Sequence, residues 1–339
     1  MQALVSVCIP TYNGLQYLKE CIDSAIGQTY SNIEIVICDD CSTDGTWDLV
    51  NTYAAKDNRI KAFRNDKNLG LVGNWNKCIG LVKGEWIKFL FQDDYLDTDC
   101  IAEMVQGILE GDKLVTSGRR LIFDPGLDEK VKEYSLSQTL TFERLGINSS
   151  VPVNITAERI SEFAVDNICM NFIGEPTVIM FRKDCVADVG YFNADISQLC
   201  DLEYFLRIAS KYGLKYIPRP LTLFRVHRQS TTSSQMKNKL FMLNYLDPII
   251  ITHQLLFAPQ YDDLRKAIAP RRKVKLTQYF RVRTYEAKKV AMLSGNEDTL
   301  KFEAISEKYH QIKSYANGSI ITKIAYSLIK LKRAITKKA

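Results

Sequence analysis

The first hundred residues alternate short β-branched runs with longer stretches whose apolar positions recur every three or four residues, the pattern of consecutive strand-helix units. Val5, Ser6, Val7, Cys8 and Ile9 predict a buried strand that Pro10, lacking an N–H, brings to an end. Asn13 is placed to cap a helix whose apolar face is Leu15, Leu18, Ile22, Ala25 and Ile26. A second strand over 33–38 runs into Asp39 and Asp40, and residues 42–45 turn the chain into a helix near 46–55. A short strand at 60–63, a helix near 72–82 and a strand at 86–91 follow, and the last also runs into two carboxylates, Asp93 and Asp94. Such alternation predicts an α/β fold, a mostly parallel sheet covered by helices on both faces.

Sheets of this kind bind ligands beyond the carboxyl ends of their strands. Three predicted strand ends carry polar residues there: Pro10, Thr11, Tyr12 and Asn13; Asp39 and Asp40; Gln92, Asp93 and Asp94. After a helix at 98–109 the pattern loosens until about 170, punctuated by Gly126, Gly146 and Pro152, as loops that set specificity would be. From Gly174 it tightens again. A strand is predicted at 177–181, a helix opening at Asp201, further strands at 216–217 and 221–226, and helices beyond 237.

Composition excludes disordered and collagen-like chains, since 46% of the 339 residues are hydrophobic and can build real cores. Charge is unevenly placed. Residues 271–339 hold 17 Lys and Arg against 5 Asp and Glu, while the preceding 270 hold 28 against 34. A basic end of this kind attracts an anionic partner. Nine scattered cysteines make no disulfide framework, and the Cys38-x-x-Cys41 pair has no second pair or His to complete a zinc site. No leader pattern opens the chain, and Asp247 interrupts its longest apolar stretch, 240–257. The expectation is a cytoplasmic protein, with the sequons at Asn148, Asn154 and Asn317 arising by chance.

Carboxylate pairs at the ends of two buried strands cost desolvation energy and answer either a cation or a proton-transfer need. Mg²⁺ or Mn²⁺ suits Asp93 and Asp94, because such ions are held by one or two carboxylates together with substrate phosphates. The structural alternative is that the pair caps the helix that follows.

Several segments in order resemble the opening of the family 2 glycosyltransferases with the GT-A fold: 5–14, 28–30, 39–46, Asn68-Leu69-Gly70, Asn76, 84–87, Asp93-Asp94, Gly190-Tyr191-Phe192 and Cys200-Asp201. The resemblance covers about residues 4–227. It implies a Rossmann-like, mostly parallel sheet with a helical extension, and transfer of a sugar from a nucleotide-diphosphate donor to an acceptor hydroxyl with inversion. It implies a UDP-sugar donor and a saccharide or lipid-linked saccharide acceptor, as in surface polysaccharide or glycolipid assembly. By the same resemblance Pro10, Thr11, Tyr12 and Asn13 lie along base and ribose, Asp40 reads the base with Asp39 beside it, and Asn76 belongs to the base and phosphate pocket. Asp93 and Asp94 match the metal motif, with Asp94 as the direct ligand of Mn²⁺ or Mg²⁺. Phe91 stands where many members carry a further Asp, which implies weaker or single-carboxylate metal binding. Asp201 resembles the general base, Cys200 replacing the first acid of that dipeptide; its alternative is a helix cap. His227 falls near an Arg-x-His element beside the diphosphate and is the second candidate metal ligand, flanked by Arg225 and Arg228, which either clamp phosphate or are solvated. Glu203, two residues beyond Asp201 on a helix, points away from it. Gly174, Glu175, Pro176 and Thr177 resemble a segment lining the acceptor side, or form a turn before a strand.

The expected domains are a catalytic domain over 1–236, with a nucleotide-binding half to 110 and an acceptor half from 111, and a basic helical region over 237–339. In the latter Ile320, Ile321, Ile324, Leu328, Leu331 and Ile335 recur at helical spacing among Lys323, Lys330, Lys332, Arg333, Lys337 and Lys338. That pattern fits an amphipathic helix on an anionic membrane, peripheral at the inner face, or one packed on the protein with a solvated basic side. No aromatic-basic interleaving suggests nucleic acid. Two other readings remain open: a sugar nucleotidyltransferase, which would need a Gly-rich basic loop after the first strand that 11–14 lacks, and a non-catalytic nucleotide-binding scaffold.

Overall fold

The computed structural model describes residues 2–137, 145–228 and 241–336; the expected 236/237 boundary, Lys337 and Lys338, and the side chains of Leu331, Lys332, Arg333 and Ile335 lie outside it. The chain divides into two compact units, the first from 1–160, 171–194 and 201–234, the second from 161–170, 195–200 and 235–339.

The first unit is built on a sheet of nine strands: β1 (Val5–Thr11), β2 (Ile33–Asp39), β3 (Ile60–Arg64), β4 (Trp86–Phe89), β5 (Tyr95–Leu96), β6 (Leu114–Phe123), β7 (Val153–Ile155), β8 (Ile179–Arg182) and β9 (Leu214–Val226). Their order is β3-β2-β1-β4-β8-β6-β9-β5, with β7 also on β9. The first four run parallel, β8 is antiparallel to both neighbours, and β6 and β9 run parallel again. Between β1 and β4 the strand order reverses, which opens a crevice at their carboxyl ends.

Helices α1 (Leu15–Ile26), α2 (Thr46–Ala54), α3 (Gly70–Leu81) and α4 (Cys100–Gln106) follow the first strands. Leu18, Ile22 and Ala25 of α1 pack with Val5, Val7, Ile9, Ile35 and Ile37 in one core, each large side chain contributing about 1.5–3 kcal/mol. On the other side of the pleat, Phe89 belongs to a ring cluster with Trp75, Phe91, Phe181 and Phe192.

Several expectations are corrected. Pro10 does not end β1, which runs to Thr11 alongside β2. The side on which Pro10 lacks its donor faces β4, whose pairing with β1 has already stopped at Cys8. Asn13 does not cap α1; it sits at φ +46 and its Oδ1 accepts the Thr43 N–H, while Gly14 takes the cap position. Asp93 and Asp94 do not cap α4, whose first turn follows Asp99. The stretch expected to be irregular contains the ten-residue β6. Thr177 lies in a single 3-10 turn, Pro176–Val178, before β8. The strands expected at 216–217 and 221–226 are one: Pro218 and Pro220 shift the register against Ser117 and Gly118, and a side chain at Gly118 would sit 3.2 Å from the Arg219 carbonyl oxygen.

The second unit is helical. Its helix Asp247–Phe257 is buried on nearly every side, Ile249, Ile250, Ile251 and Leu255 among them. Asp247 accepts the N–H groups of Ser197, Gln198 and Leu199 at 3.1, 2.7 and 3.1 Å. Arg272, on the helix Pro270–Ser294, pairs with Glu162 and Asp166. Among the described residues no helix is long and apolar enough to cross a membrane.

Candidate active site

Parallel β1, β2 and β4 all deliver their carboxyl ends to one edge, and the residues just past those ends meet there. Gln92 spans the crevice: its Oε1 accepts the Thr11 hydroxyl at 2.6 Å and the Tyr12 N–H at 2.8 Å, and its Nε2 donates to the Tyr12 carbonyl at 3.1 Å. Tyr12 itself is half exposed at the rim, as a residue free to meet a ligand must be.

Behind that loop stand the two β2 carboxylates. Asp39 Oδ2 accepts the Ser42 N–H at 3.1 Å and pairs with Arg64 at 3.2 Å, whereas its Oδ1 is buried without a partner among the described residues. Asp40 is engaged throughout: Oδ1 accepts the Leu69 N–H and the Asn65 amide, both at 2.8 Å, and Oδ2 accepts the Gly70 N–H at 3.0 Å. It therefore pins the 68–70 loop that opens α3. Asn76, expected in the nucleotide pocket, clamps the Phe192 peptide, donating to its carbonyl at 3.0 Å and accepting its N–H at 2.9 Å. Tyr191 is held from the other side, its carbonyl accepting from Arg207, which is ion-paired with buried Glu203. Glu203 is thus committed away from Asp201.

Past β4 the two acids part company. Asp94 is 1% exposed; its Oδ2 accepts the Thr177 hydroxyl at 2.6 Å and its Oδ1 the Arg225 N–H at 2.9 Å. Burial, and then the neighbouring charge of Asp93, push its carboxyl well above the ordinary carboxylate range. Asp93 reaches the opposite way, its Oδ2 3.0 Å from His227 Nε2 at the end of β9. The imidazole packs against the Tyr17 ring at 4.7 Å, and its Nδ1 is buried with no partner among the described residues. The carboxylate beside the imidazole is therefore that of Asp93, although Asp94 was the expected direct ligand. Phe91, at the position of the missing Asp, stacks on Trp75 at 4.8 Å and leaves the site altogether.

Arg225 is neither a free phosphate clamp nor solvated. Its Nε donates to the Asp93 carbonyl at 3.2 Å, its guanidinium pairs with Asp124 and Glu20, and it lies 4.7 Å over the Tyr17 ring. Burial and the hydrogen bond to Asp124 push the Tyr17 hydroxyl up to about 12. Arg228 donates to the Gly126 carbonyl at 2.6 Å.

Asp201 opens the helix Cys200–Tyr212, its Oδ1 accepting the Leu202 N–H at 2.7 Å and its Oδ2 the Asn171 amide at 3.2 Å. Asn171 Oδ1 in turn accepts the N–H groups of Ile173 and Gly174, where φ of +114 requires glycine. Residues 171–177 thus hold Asp201 at one end and, through Thr177, Asp94 at the other. Beneath them, fully buried Lys88 donates to the Thr177 carbonyl. Sequence reasoning missed Lys88, Asn171 and the Asn65-Asn74 pair at 3.0 Å, and it named Thr177 only as part of the acceptor-side segment, without its bond to Asp94. A lysine between Ile87 and Phe89 in a buried run was the one available signal.

The profile described as "Glycosyl transferase family 2" matches residues 6–166. A UDP-Glc:alpha-D-GlcNAc-diphosphoundecaprenol beta-1,3-glucosyltransferase of Escherichia coli, WfaP, is 32% identical over 248 residues, 73% of this chain and 86% of that protein. Among solved structures, S. aureus TarS 1–349 in complex with UDP-GlcNAc aligns over 91% of both chains with a TM-score of 0.53 at 16% identity. This chain spans 49% of the longer TarS chain. A mannosyltransferase from Pyrobaculum calidifontis in complex with GDP-Man and Mn²⁺ aligns over 98% of this chain and 88% of its own, with a TM-score of 0.54 at 15% identity. At these identities the two structures share the fold.

Proposed function

Because the chain belongs to family 2 of the glycosyltransferases, we propose that it moves a sugar from UDP to a hydroxyl of a saccharide, or lipid-linked saccharide, in surface polysaccharide or glycolipid synthesis, with inversion. The observation that carries this is the meeting of Asp93 and His227 beside the polar loop of β1, at the crevice where the strand order reverses.

In this reading residues 1–236 carry catalysis, and the loop 10–13 lies along base and ribose. The Asp39-Asp40 pair, whose Asp39 Oδ1 lacks a partner among the described residues, reads the base. The Asp93 carboxylate is the kind of donor that Mn²⁺ or Mg²⁺ prefers, with substrate phosphates completing the shell, and the imidazole 3.0 Å away would be a further donor for Mn²⁺ rather than Mg²⁺. Asp93 and His227 would hold the ion, with Asp94 behind them, and an ion held there would supply positive charge to offset what develops on the diphosphate. Asp201 accepts the acceptor hydroxyl's proton as that oxygen bonds to the anomeric carbon. The bond from that carbon to the diphosphate breaks as it does so, the electron pair leaving with the diphosphate. Asn171 orients the accepting carboxylate.

Support for a uridine donor comes from the expected role of the Asp39-Asp40 pair and from the WfaP and TarS likenesses. Thermal shift against UDP, GDP, CDP and TDP, each with Mn²⁺ or EDTA, tests it. A nucleotide at about 100 times its dissociation constant adds about 2.7 kcal/mol. Metal-dependent stabilisation by UDP, lost in Asp93→Ala, is expected; no response to any nucleotide overturns the reading. Asp201→Asn should keep the fold and the UDP response while turnover falls about 10²- to 10⁴-fold.

A further inference from the structure

Glu307 is the last acidic residue of the chain, and eight Lys and Arg follow it. In that segment lies the helix Ile320–Thr336, which is held to the second unit by one side. Thr322 is buried, Tyr326 meets the Tyr285 ring edge-on at 5.5 Å, and Gly318, at φ +64, leaves room for that ring where a side chain would come within 2.8 Å of it. The other side carries Ile320, Ile321, Ile324 and Leu328, exposed by 77, 79, 56 and 62%. At about 100° per residue these four form a stripe about 100° wide, turned away from Thr322 and Tyr326, with Lys323 and Lys330 both on the same side of it.

We propose that this stripe docks on an anionic lipid leaflet. Single exposed apolar residues are ordinary, but four large aliphatic side chains in one stripe mark a surface that meets something apolar. The charge beside it says what: two lysines along one side of an apolar face, with no acidic side chain after residue 307, match acyl chains below and acidic headgroups beside them. A second copy fits less well, since pairing two such stripes would bring like charges together. The surface supplies a place for the lipid of the proposed acceptor, and only that link rests on the glycosyltransferase reading; the docking stands or falls separately.

Co-sedimentation of the full chain with phosphatidylcholine vesicles, with and without a third of phosphatidylglycerol, tests it. Binding is expected to the anionic vesicles only, weakened by salt. Replacing Ile320, Ile324 and Leu328 together by Ser should weaken it more than about tenfold. These residues are exposed, so the melting temperature should hold. Lys323→Gln and Lys330→Gln should each cost about fivefold and keep the test open if the triple variant is unstable. Failure of the parent chain to bind, or equal binding by the triple variant, overturns the proposal. So does a dimer in size-exclusion chromatography that the triple variant dissolves without any vesicle binding, which assigns the stripe to a second copy. A UDP response measured without vesicles reports on the catalytic reading alone.

Discussion

Gln92 closes the crevice between β1 and β4, and the room for its amide depends on a missing side chain: a Cβ at Gly14 would fall 2.2 Å from Gln92 Oε1. Gly14→Ala should therefore swing Gln92 away from Thr11 and Tyr12 and loosen the loop 10–13, proposed above to hold the donor. The expected result is a donor KM raised about fivefold to thirtyfold, the worth of one or two hydrogen bonds. The melting temperature should fall by only a few degrees, and Gln92→Ala should show the same kinetics. Lys88 makes a different case. Burial holds its ammonium down, at about 8 instead of 10.5. Between those values the unfolded chain binds a proton the native chain has released, so stability climbs with pH; below pH 8 the penalty, about 3 kcal/mol, is present in full. Lys88→Met should remove that climb in denaturant titrations and leave stability at pH 7 unchanged or raised by up to about 2 kcal/mol. A pH slope identical to the parent's would refute it. His227 was reached only through the resemblance, while the places of Asp39 and Asp93 just past strand ends were legible because each follows a buried apolar run. Asn171 and Thr177 were not, because their roles depend on a φ of +114 at Gly174 and on which strand neighbours which, neither of which leaves a local pattern.

Among the elements, the parallel half of the sheet was readable from β-branched runs and their carboxyl ends. The antiparallel half was not. The sequence of β6 mixes Thr, Ser, Gly and two Arg because only its first residues are fully buried, and β9 is interrupted by prolines that a register shift accommodates. The helix Asp247–Phe257 teaches the same lesson in reverse. Asp247, which breaks the longest apolar stretch, is the residue that gathers three backbone N–H groups. Asp247→Ala should destabilise by about 2–4 kcal/mol, read as a lower denaturant midpoint with an unchanged slope. Further along, His253 is packed among Phe257, Phe280 and Tyr309 and bonded to Gln311 at 2.8 Å, and burial lowers its value below the ordinary histidine range. The unfolded chain then takes up its proton first, so stability is lost as pH falls below about 6.5. Hydrogen exchange across 247–257 should quicken between pH 7 and 5, after correction for intrinsic rates, and His253→Leu should remove the excess.

At the scale of the whole molecule, the charge imbalance was visible in the sequence, and the two short segments that belong to the second unit were not. The second unit takes its residues from three places, including two short segments, 161–170 and 195–200, that interrupt the first. Glu162 and Asp166 supply the carboxylates for Arg272, and residues 197–199 supply the N–H groups for Asp247. A chain ended after residue 236 loses Arg272 and Asp247 but keeps their partners. It should therefore aggregate or show fast exchange at 161–170 and 195–200, where a chain made of independent consecutive domains would not. Swapping the carboxyl-terminal part between relatives as a cassette would accordingly fail unless those two short segments travelled with it. Whatever selection tunes at that end of the gene must be inherited together with two stretches in its middle.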